Sequence, residues 1–145
     1  MIIIREGTIQ DAVTLSRRVP ELDRPYDEAE YVKRLATAHH LILIAENEGR
    51  ALGFKVGYDR YGDGSFYSWM GGVLPDSRRR GIARRLQETQ EAWACQNGYD
   101  RLRVKTRKKH TAMIQFLRRS GFTCREKIQR QPAGETRLIF EKSIP

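Results

Sequence analysis

Val73-Leu74-Pro75-Asp76-Ser77-Arg78-Arg79-Arg80-Gly81-Ile82-Ala83-Arg84-Arg85 is the stretch on which the reading of this chain turns. Before it, Phe66 to Val73 has the aromatic composition of a strand, with a Gly71-Gly72 pair that marks a bulge or a close backbone approach. After it, Ile82, Leu86 and Trp93, with Ala83 and Ala92, recur at helical spacing, and Asn97-Gly98 supplies a stop, so the spacing predicts a helix over Ile82 to Gln96. The junction is therefore a strand, a turn and a helix start. Amides in the first helical turn lack intrahelical acceptors, and the helix dipole adds about half a positive charge there. Gly81 puts no Cβ in the way of an approaching oxygen, Ala83 keeps the next turn small, and Arg78, Arg79, Arg80 and Arg84 crowd the same point. These features together predict a seat for phosphate.

Outward from that junction the elements fall into a readable order. Ile2 to Ile4 is an opening strand, and Thr8 with Asp11 resembles a capping arrangement for a helix carrying Ala12, Val13 and Leu15 that ends before Pro20. Asp27 to Ala38 is a second helix, with Tyr31, Val32 and Leu35 sharing a face. Leu41 to Glu46, Ala51 to Asp59 and Phe66 to Val73 form a meander, with turns at Gly49 and at Gly62 and Gly64. Beyond the long helix, Arg101 to Thr106 alternates Leu102 and Val104 with basic residues, as a half-buried strand does. Thr111 to Ser120 is a short helix burying Met113, Ile114 and Leu117, and strands follow around Thr123 to Gln129 and Arg137 to Glu141. The order predicts an α+β fold on a mixed sheet.

The chain has 145 residues, the size of one compact domain, and no repeat or Gly/Ser linker divides it, so residues 1–145 are expected to form a single domain. No apolar run is long enough to cross a bilayer and no leader-like segment is present; a cytoplasmic protein without membrane partners is expected. Cys95 and Cys124 lack the close spacing of zinc or redox motifs and are read as ordinary thiols, with no metal site. The net charge is +9, unevenly held: sixteen Lys and Arg face four acids between residues 78 and 130, whereas nine face twelve acids in residues 1–77. Such a field attracts nucleic acid, an acidic surface or a polyphosphate. No aromatic-interleaved basic sheet or recognition motif supports nucleic acid, and neither GxGxxG nor a GK[ST] loop supports the other phosphate folds.

The pattern Arg78-x-x-Gly81-x-Ala83, placed after a strand and Val73-x-Pro75, resembles motif A of the GNAT superfamily of N-acetyltransferases. Phe116-Leu117-Arg118-Arg119-Ser120-Gly121-Phe122 resembles the end of the same family's motif B, and the element order agrees along nearly the whole chain. The resemblance implies a mostly antiparallel mixed sheet of six to seven strands with about four helices. It implies acetyl-CoA as cosubstrate, an amine as acceptor, direct attack in a ternary complex, and homodimers as a common state. It further implies that the Val73 and Val104 strands splay apart and admit the pantetheine arm. In that arrangement the peptide groups of Val73 and Leu74 hydrogen-bond the arm, and the amides of Arg79, Arg80, Gly81, Ile82, Ala83 and Arg84 surround the pyrophosphate. The Val73 amide becomes the oxyanion donor.

Where the family often carries a carboxylate beside Val73, this chain reads Ser68-Trp69-Met70-Gly71-Gly72. Its motif B tyrosine aligns with Leu117, and its frequent Asn with His110 or Lys108. His110, which titrates near neutrality, and Glu46, at the end of a meander strand, are the candidates for proton transfer. Lys108 and Lys109 are candidates to meet the ribose phosphate, and the acids of Glu21 to Glu28 suggest a cationic acceptor. The missing tyrosine and carboxylate leave a second reading, a catalytically silent acetyl-CoA-binding module, beside that of an active enzyme.

Overall fold

The computed structural model describes residues 1–145. β1 (Ile2–Glu6) leads into α1 (Ile9–Ser16) and α2 (Glu28–Leu35); β2 (His40–Asn47), β3 (Arg50–Tyr58) and β4 (Ser65–Val73) follow as a meander. Then come α3 (Ile82–Gln96), β5 (Arg101–Arg107), α4 (Thr111–Arg119), β6 (Thr123–Ile128) and β7 (Arg137–Ser143). The strands form one seven-stranded sheet in the order β1-β2-β3-β4-β5-β7-β6, antiparallel except between β4 and β5. This is the α+β fold on a mixed sheet that the element order predicted, and the mostly antiparallel seven-stranded form with four helices is the one the resemblance implied. No helix is long and apolar enough to cross a membrane.

Alternation along the strands distributes side chains to two cores. Leu41, Leu43 and Ala45 pack with Ile82, Leu86 and Leu117 under α3 and α4. Ile42 and Ile44 pack with Val13, Tyr31 and Leu35 under α1 and α2. Helix starts are fixed locally: Asp11 N–H donates to the Thr8 hydroxyl at 3.1 Å while Thr8 N–H donates to Asp11 Oδ2 at 3.0 Å, and Glu30 N–H donates to Asp27 Oδ1 at 3.0 Å. Each such cap stabilises its helix by about 1 kcal/mol.

Some expectations about helix faces are corrected. α2 ends at Leu35, short of Ala38, and Val32 is 45% exposed. Met113 is exposed, and in α4 only Leu117 is fully buried. In α3, Ala83 and Ala92 face solvent, and the buried face holds Gln87 and Gln90 among Ile82, Leu86 and Ala94. The underside of that helix is thus more polar than its apolar stripe suggested.

One irregularity positions everything that follows. β3 and β4 pair Val56 with Met70 but Gly57 with Ser68, so Trp69 is an extra residue in β4. A bulge bends the strand that carries it. β4 and β5 pair only from Ser65↔Arg101 to Ser68↔Val104, although β4 runs on to Val73 and β5 to Arg107. Past the bulge the two strands leave each other, and a gap opens between Trp69–Val73 and Lys105–Arg107.

Candidate active site

At the open end of the gap, β4 passes through a short 3-10 turn at Pro75–Ser77 and enters α3 through Gly81, whose φ is +75°. Arg79 also has positive φ, +63°, a conformation that disfavours a side chain by about 1–2 kcal/mol. Two left-handed residues thus flank Arg80 just before the helix begins, where backbone amides are without intrahelical acceptors and an anion can be held. The amides of Arg79, Arg80, Gly81, Ile82, Ala83 and Arg84 donate to no protein acceptor; the first bond of the turn is Arg85 N–H to the Gly81 carbonyl, 3.1 Å. No acid occupies the first turn of α3 to neutralise them.

The arginines around this seat divide into two kinds. Arg79 and Arg80 are exposed and have no acidic partner. Arg84 pairs with Glu88 at 2.8 Å. Arg78 turns away: its Nε donates to the Val73 carbonyl at 3.0 Å and its terminal nitrogens grip Glu21 at 2.9 and 2.7 Å. The seat's uncompensated positive charge therefore belongs to Arg79 and Arg80.

Val73 stands where the strand end meets the gap. Leu74 N–H donates to the Leu52 carbonyl at 2.9 Å, so the alternation of an antiparallel ladder points the Val73 amide away from β3 and into the gap. Gly72 beside it is required by packing, since a Cβ there would meet the Val19 side chain at 2.9 Å. The loop between α1 and α2 lies that close to β4.

That loop closes over both sides of the opening. Glu21 reaches Arg78 on the β4 side, and Asp23 reaches Arg107 at 2.8 Å and Lys109 at 3.4 Å on the β5 side. Glu135, before β7, joins them through Lys109 at 2.9 Å and Arg107 at 3.3 Å. The Arg107 guanidinium, with Lys109, pulls the Asp23 carboxyl down to about 2, and Lys109, with Arg107, does the same to Glu135. The Arg78 fork lowers Glu21 in the same way. Glu21 and Asp23, two of the four acids read as a lure for a cationic acceptor, are thus already bonded to this chain's own cations, and Asp27 caps α2.

The candidate proton carriers are placed unequally. His110 stands at the N-cap position of α4, with two residues between it and the end of β5 and without a capping bond from its side chain, and is half-buried; burial first, then the charges of Arg107 and Lys109, holds its imidazole below the usual histidine value. Its backbone N–H donates to the Arg107 carbonyl at 2.9 Å, which ties His110 to the end of β5, one border of the gap. Glu46 sits on β2, bonded to Arg5 at 2.9 Å, with all of β3 between it and β4. It does not face the gap. Lys109 is held by Asp23 and Glu135, whereas Lys108 is exposed. Leu117 is buried to 1% in the core under α3 and α4, so no hydroxyl occupies that position.

The Trp69 bulge and the loop clamp were not foreseen from sequence. The bulge is defined only by register against β3, and the clamp joins residues as far apart as Asp23 and Arg107; Gly71-Gly72 was the one local hint.

A model of the acetyltransferase (GNAT) family matches residues 8–122. Among solved structures, the ribosomal-protein-S18-alanine N-acetyltransferase of Escherichia coli superposes with a TM-score of 0.85 at 18% identity, covering 99% of this chain and 94% of that one. Ard1 from Thermoplasma volcanium gives 0.84 at 17% identity, with 99% and 98% covered. The PaiA N-acetyltransferase of Thermoplasma acidophilum, solved in complex with coenzyme A, gives 0.77 at 16% identity, with 99% of each chain covered. At these identities the likeness speaks for the fold.

Proposed function

Because this chain belongs to the GNAT acetyltransferase family, we propose that it moves the acetyl group of acetyl-CoA to an amine by direct attack in a ternary complex. The observation that carries this reading is the set of free amides from Arg79 to Arg84, set beneath unpaired Arg79 and Arg80 at the end of a gap between two strands. Unsatisfied donors and uncompensated cations at a helix start suit a diphosphate. The free edges of β4 and β5 suit an extended amide-bearing arm, which would pair with them as a strand does. The β4 edge up to Val73 would hold that arm, and Arg79, Arg80, Gly81, Ile82, Ala83 and Arg84 the diphosphate; Leu74, expected to share in holding the arm, instead donates its N–H to the Leu52 carbonyl and accepts at its own carbonyl from Ser77 N–H, both at 2.9 Å. Arg78 would act by fixing the Val73 carbonyl.

Bound acetyl-CoA supplies an activated acyl group and a thiolate leaving group. The Val73 amide, turned into the gap, is the donor for charge developing on the acyl oxygen. An alkyl amine with a pKa of about 10.4 is almost wholly protonated at neutral pH and must lose a proton before it attacks. His110, kept neutral by burial and by Arg107 and Lys109, is the group at the mouth of the gap able to accept one, directly or through water.

A second reading, a module that binds acetyl-CoA without turnover, is favoured by one observation: neither Leu117 nor Ser68 to Gly72 offers a carboxylate or phenol to the gap. Two measurements separate the readings. Coenzyme A should raise the melting temperature of the wild type but not of Arg80→Glu, and thiol should be released from acetyl-CoA in the presence of an amine panel. No stabilisation of the wild type sinks both readings; stabilisation without thiol release on any amine leaves the silent module.

A further inference from the structure

The diphosphate seat opens toward α3, and the other mouth of the gap opens on the face beneath α1 and α2. On that second face the charges are arranged with an unusual bias. Leu102 and Val104 of β5 pack on the α3 side, so alternation sends Arg101, Arg103, Lys105 and Arg107 to the other. Leu138 and Phe140 of β7 likewise face α3, which puts Arg137, Ile139 and Glu141 alongside those cations.

Most of these cations have acidic partners. Arg103 meets Glu141 at 2.9 Å, Arg107 meets Asp23 at 2.8 Å, and Arg101 meets Asp63 at 3.1 Å. Lys105 has none. Burial first, and then the like charges of Arg60, Arg137, Arg34 and Arg130, lower the proton affinity of its amine. Lys105 is also the first residue of β5 after pairing with β4 ends at Ser68↔Val104, so it stands at the fork of the gap.

Aromatic rings hold the neighbouring guanidinium groups in place without neutralising them. Arg60 lies 4.9 Å from the Tyr67 ring and 5.5 Å from that of Tyr61, and has no acidic partner. Arg34 lies 4.4 Å from the ring of Trp69, the bulged residue, and 5.1 Å from that of Tyr26. A hollow of about 220 Å³, lined by Tyr61, Arg103, Arg125, Glu126, Ile139 and Glu141, opens on the same face. Arg34 is also paired with Glu30 at 3.0 Å and Arg137 with Glu135 at 3.5 Å, which leaves Lys105, Arg60 and Arg130 as the cations of the group without an acidic partner; an anion entering beside them relieves their mutual repulsion.

We infer that the acceptor is a small amine that also bears a carboxylate or phosphate, seated by Lys105 and Arg60 at the fork of the gap. The inference rests on the acetyl-transfer reading for its amine and on this cluster for its anion. It reverses the expectation of a cationic acceptor, because Glu21 and Asp23 are occupied by Arg78, Arg107 and Lys109, whereas Lys105 and Arg60 are not paired with any acid.

The test uses the full chain, acetyl-CoA and matched amines that differ by one anionic group: ethanolamine and O-phosphoethanolamine, tyramine and tyrosine, glucosamine and glucosamine 6-phosphate. The anionic member of at least one pair should have a kcat/KM about tenfold or more above its neutral counterpart, as expected for a charge-assisted contact. In Lys105→Met and Arg60→Met that advantage should fall to about threefold or less, while coenzyme A still raises the melting temperature of both. The phosphate and carboxylate pairs show which anion the cluster prefers. Neutral members equal or superior in every pair overturn the inference and leave acetyl transfer standing, whereas failure of coenzyme A to stabilise the wild type strikes the acetyl-CoA reading instead. Should no amine be turned over, binding of O-phosphoethanolamine and tyrosine to protein loaded with coenzyme A decides: saturable binding weakened in both variants supports the cluster, and absence of binding overturns it.

Discussion

The Nε of Arg78 donates to the carbonyl of Val73 at 3.0 Å while its terminal nitrogens are held by Glu21. One side chain thereby ties the end of β4, where the acyl group is expected to react, to the loop that covers the gap. Arg78→Met keeps the length of the side chain and removes both connections. The expected outcome is a fall of about tenfold in kcat/KM for acetyl-CoA, since a partly exposed charge-assisted contact is lost next to the reacting centre. Little change in melting temperature should accompany it, because the Glu21 pair is largely solvated. Steady-state kinetics beside a thermal melt checks both halves.

His110 gives a pH dependence with a definite sign. Burial and the cations Arg107 and Lys109 hold its imidazole below 6.5, so the folded protein takes up that proton at lower pH than the unfolded chain. Stability linked to His110 is therefore complete above pH 6.5 and lost as pH falls below it. If the imidazole accepts the acceptor's proton, kcat/KM has an acid limb below pH 6.5; His110→Gln should remove that limb and lower kcat by about a hundredfold. A pH–rate profile that keeps its acid limb in the variant assigns the proton to another group.

The clamp across the gap should fail in acid. Asp23 titrates near 2 in the folded chain against an ordinary 3.8, and Glu135 near 2 against 4.5. Both carboxyls are depressed, so what they contribute is present above their unfolded values and is lost as pH drops toward 2. Asp23→Asn should produce the released loop at neutral pH. Faster amide exchange across residues 17–27 in that variant, with the sheet unchanged, is the expected result.

Lys55 offers a prediction about stability. Its amine lies against the α3 side of the sheet, its side chain within 3.6 Å of where a Cβ on Gly71 would stand, and burial pushes it down to about 8, with Glu91 opposing only in part. A lowered lysine value means that the folded chain binds fewer protons than the unfolded one between pH 8 and pH 10.5, so stability rises with pH through that window. Lys55→Met should be more stable at pH 7, by roughly 2–4 °C for each kcal/mol of desolvation relieved. The gain should shrink as pH rises from 8 to 10.5 and stay small above that.

Local chemistry made much of the fold readable in advance. α3 begins at Ile82 and ends at Gln96 as its spacing predicted, and Thr8 and Asp11 form the expected reciprocal cap. The free amides at Gly81 follow from helix geometry and the absence of an acid in the next turn. What stayed hidden depends on partners distant in sequence. Gln87 and Gln90 are buried on the face of α3 that lies on the sheet, Gln87 donating to Glu91 one turn on and the Gln90 amide bonding to no protein group, which no helical periodicity reports. Glu46 read as a carboxylate near the gap because it ends a meander strand, yet β1 supplies Arg5 to bind it. Glu21 and Asp23 read as free acids until the fold brought Arg78 and Arg107 to them.

The shortness of the β4–β5 ladder, which stops at Ser68 and Val104, carries a cost outside catalysis. Two strand margins with unsatisfied peptide groups are templates for adhesion between molecules, and most sheets hide or blunt such margins. In this chain the Arg78–Val73 bond and the strap of Glu21 and Asp23 shield part of that exposed backbone. The remainder is suited to a ligand that behaves as an eighth strand. Occupancy would then guard solubility as well as enable turnover, and a cell short of the nucleotide thioester would hold this protein in its stickiest form.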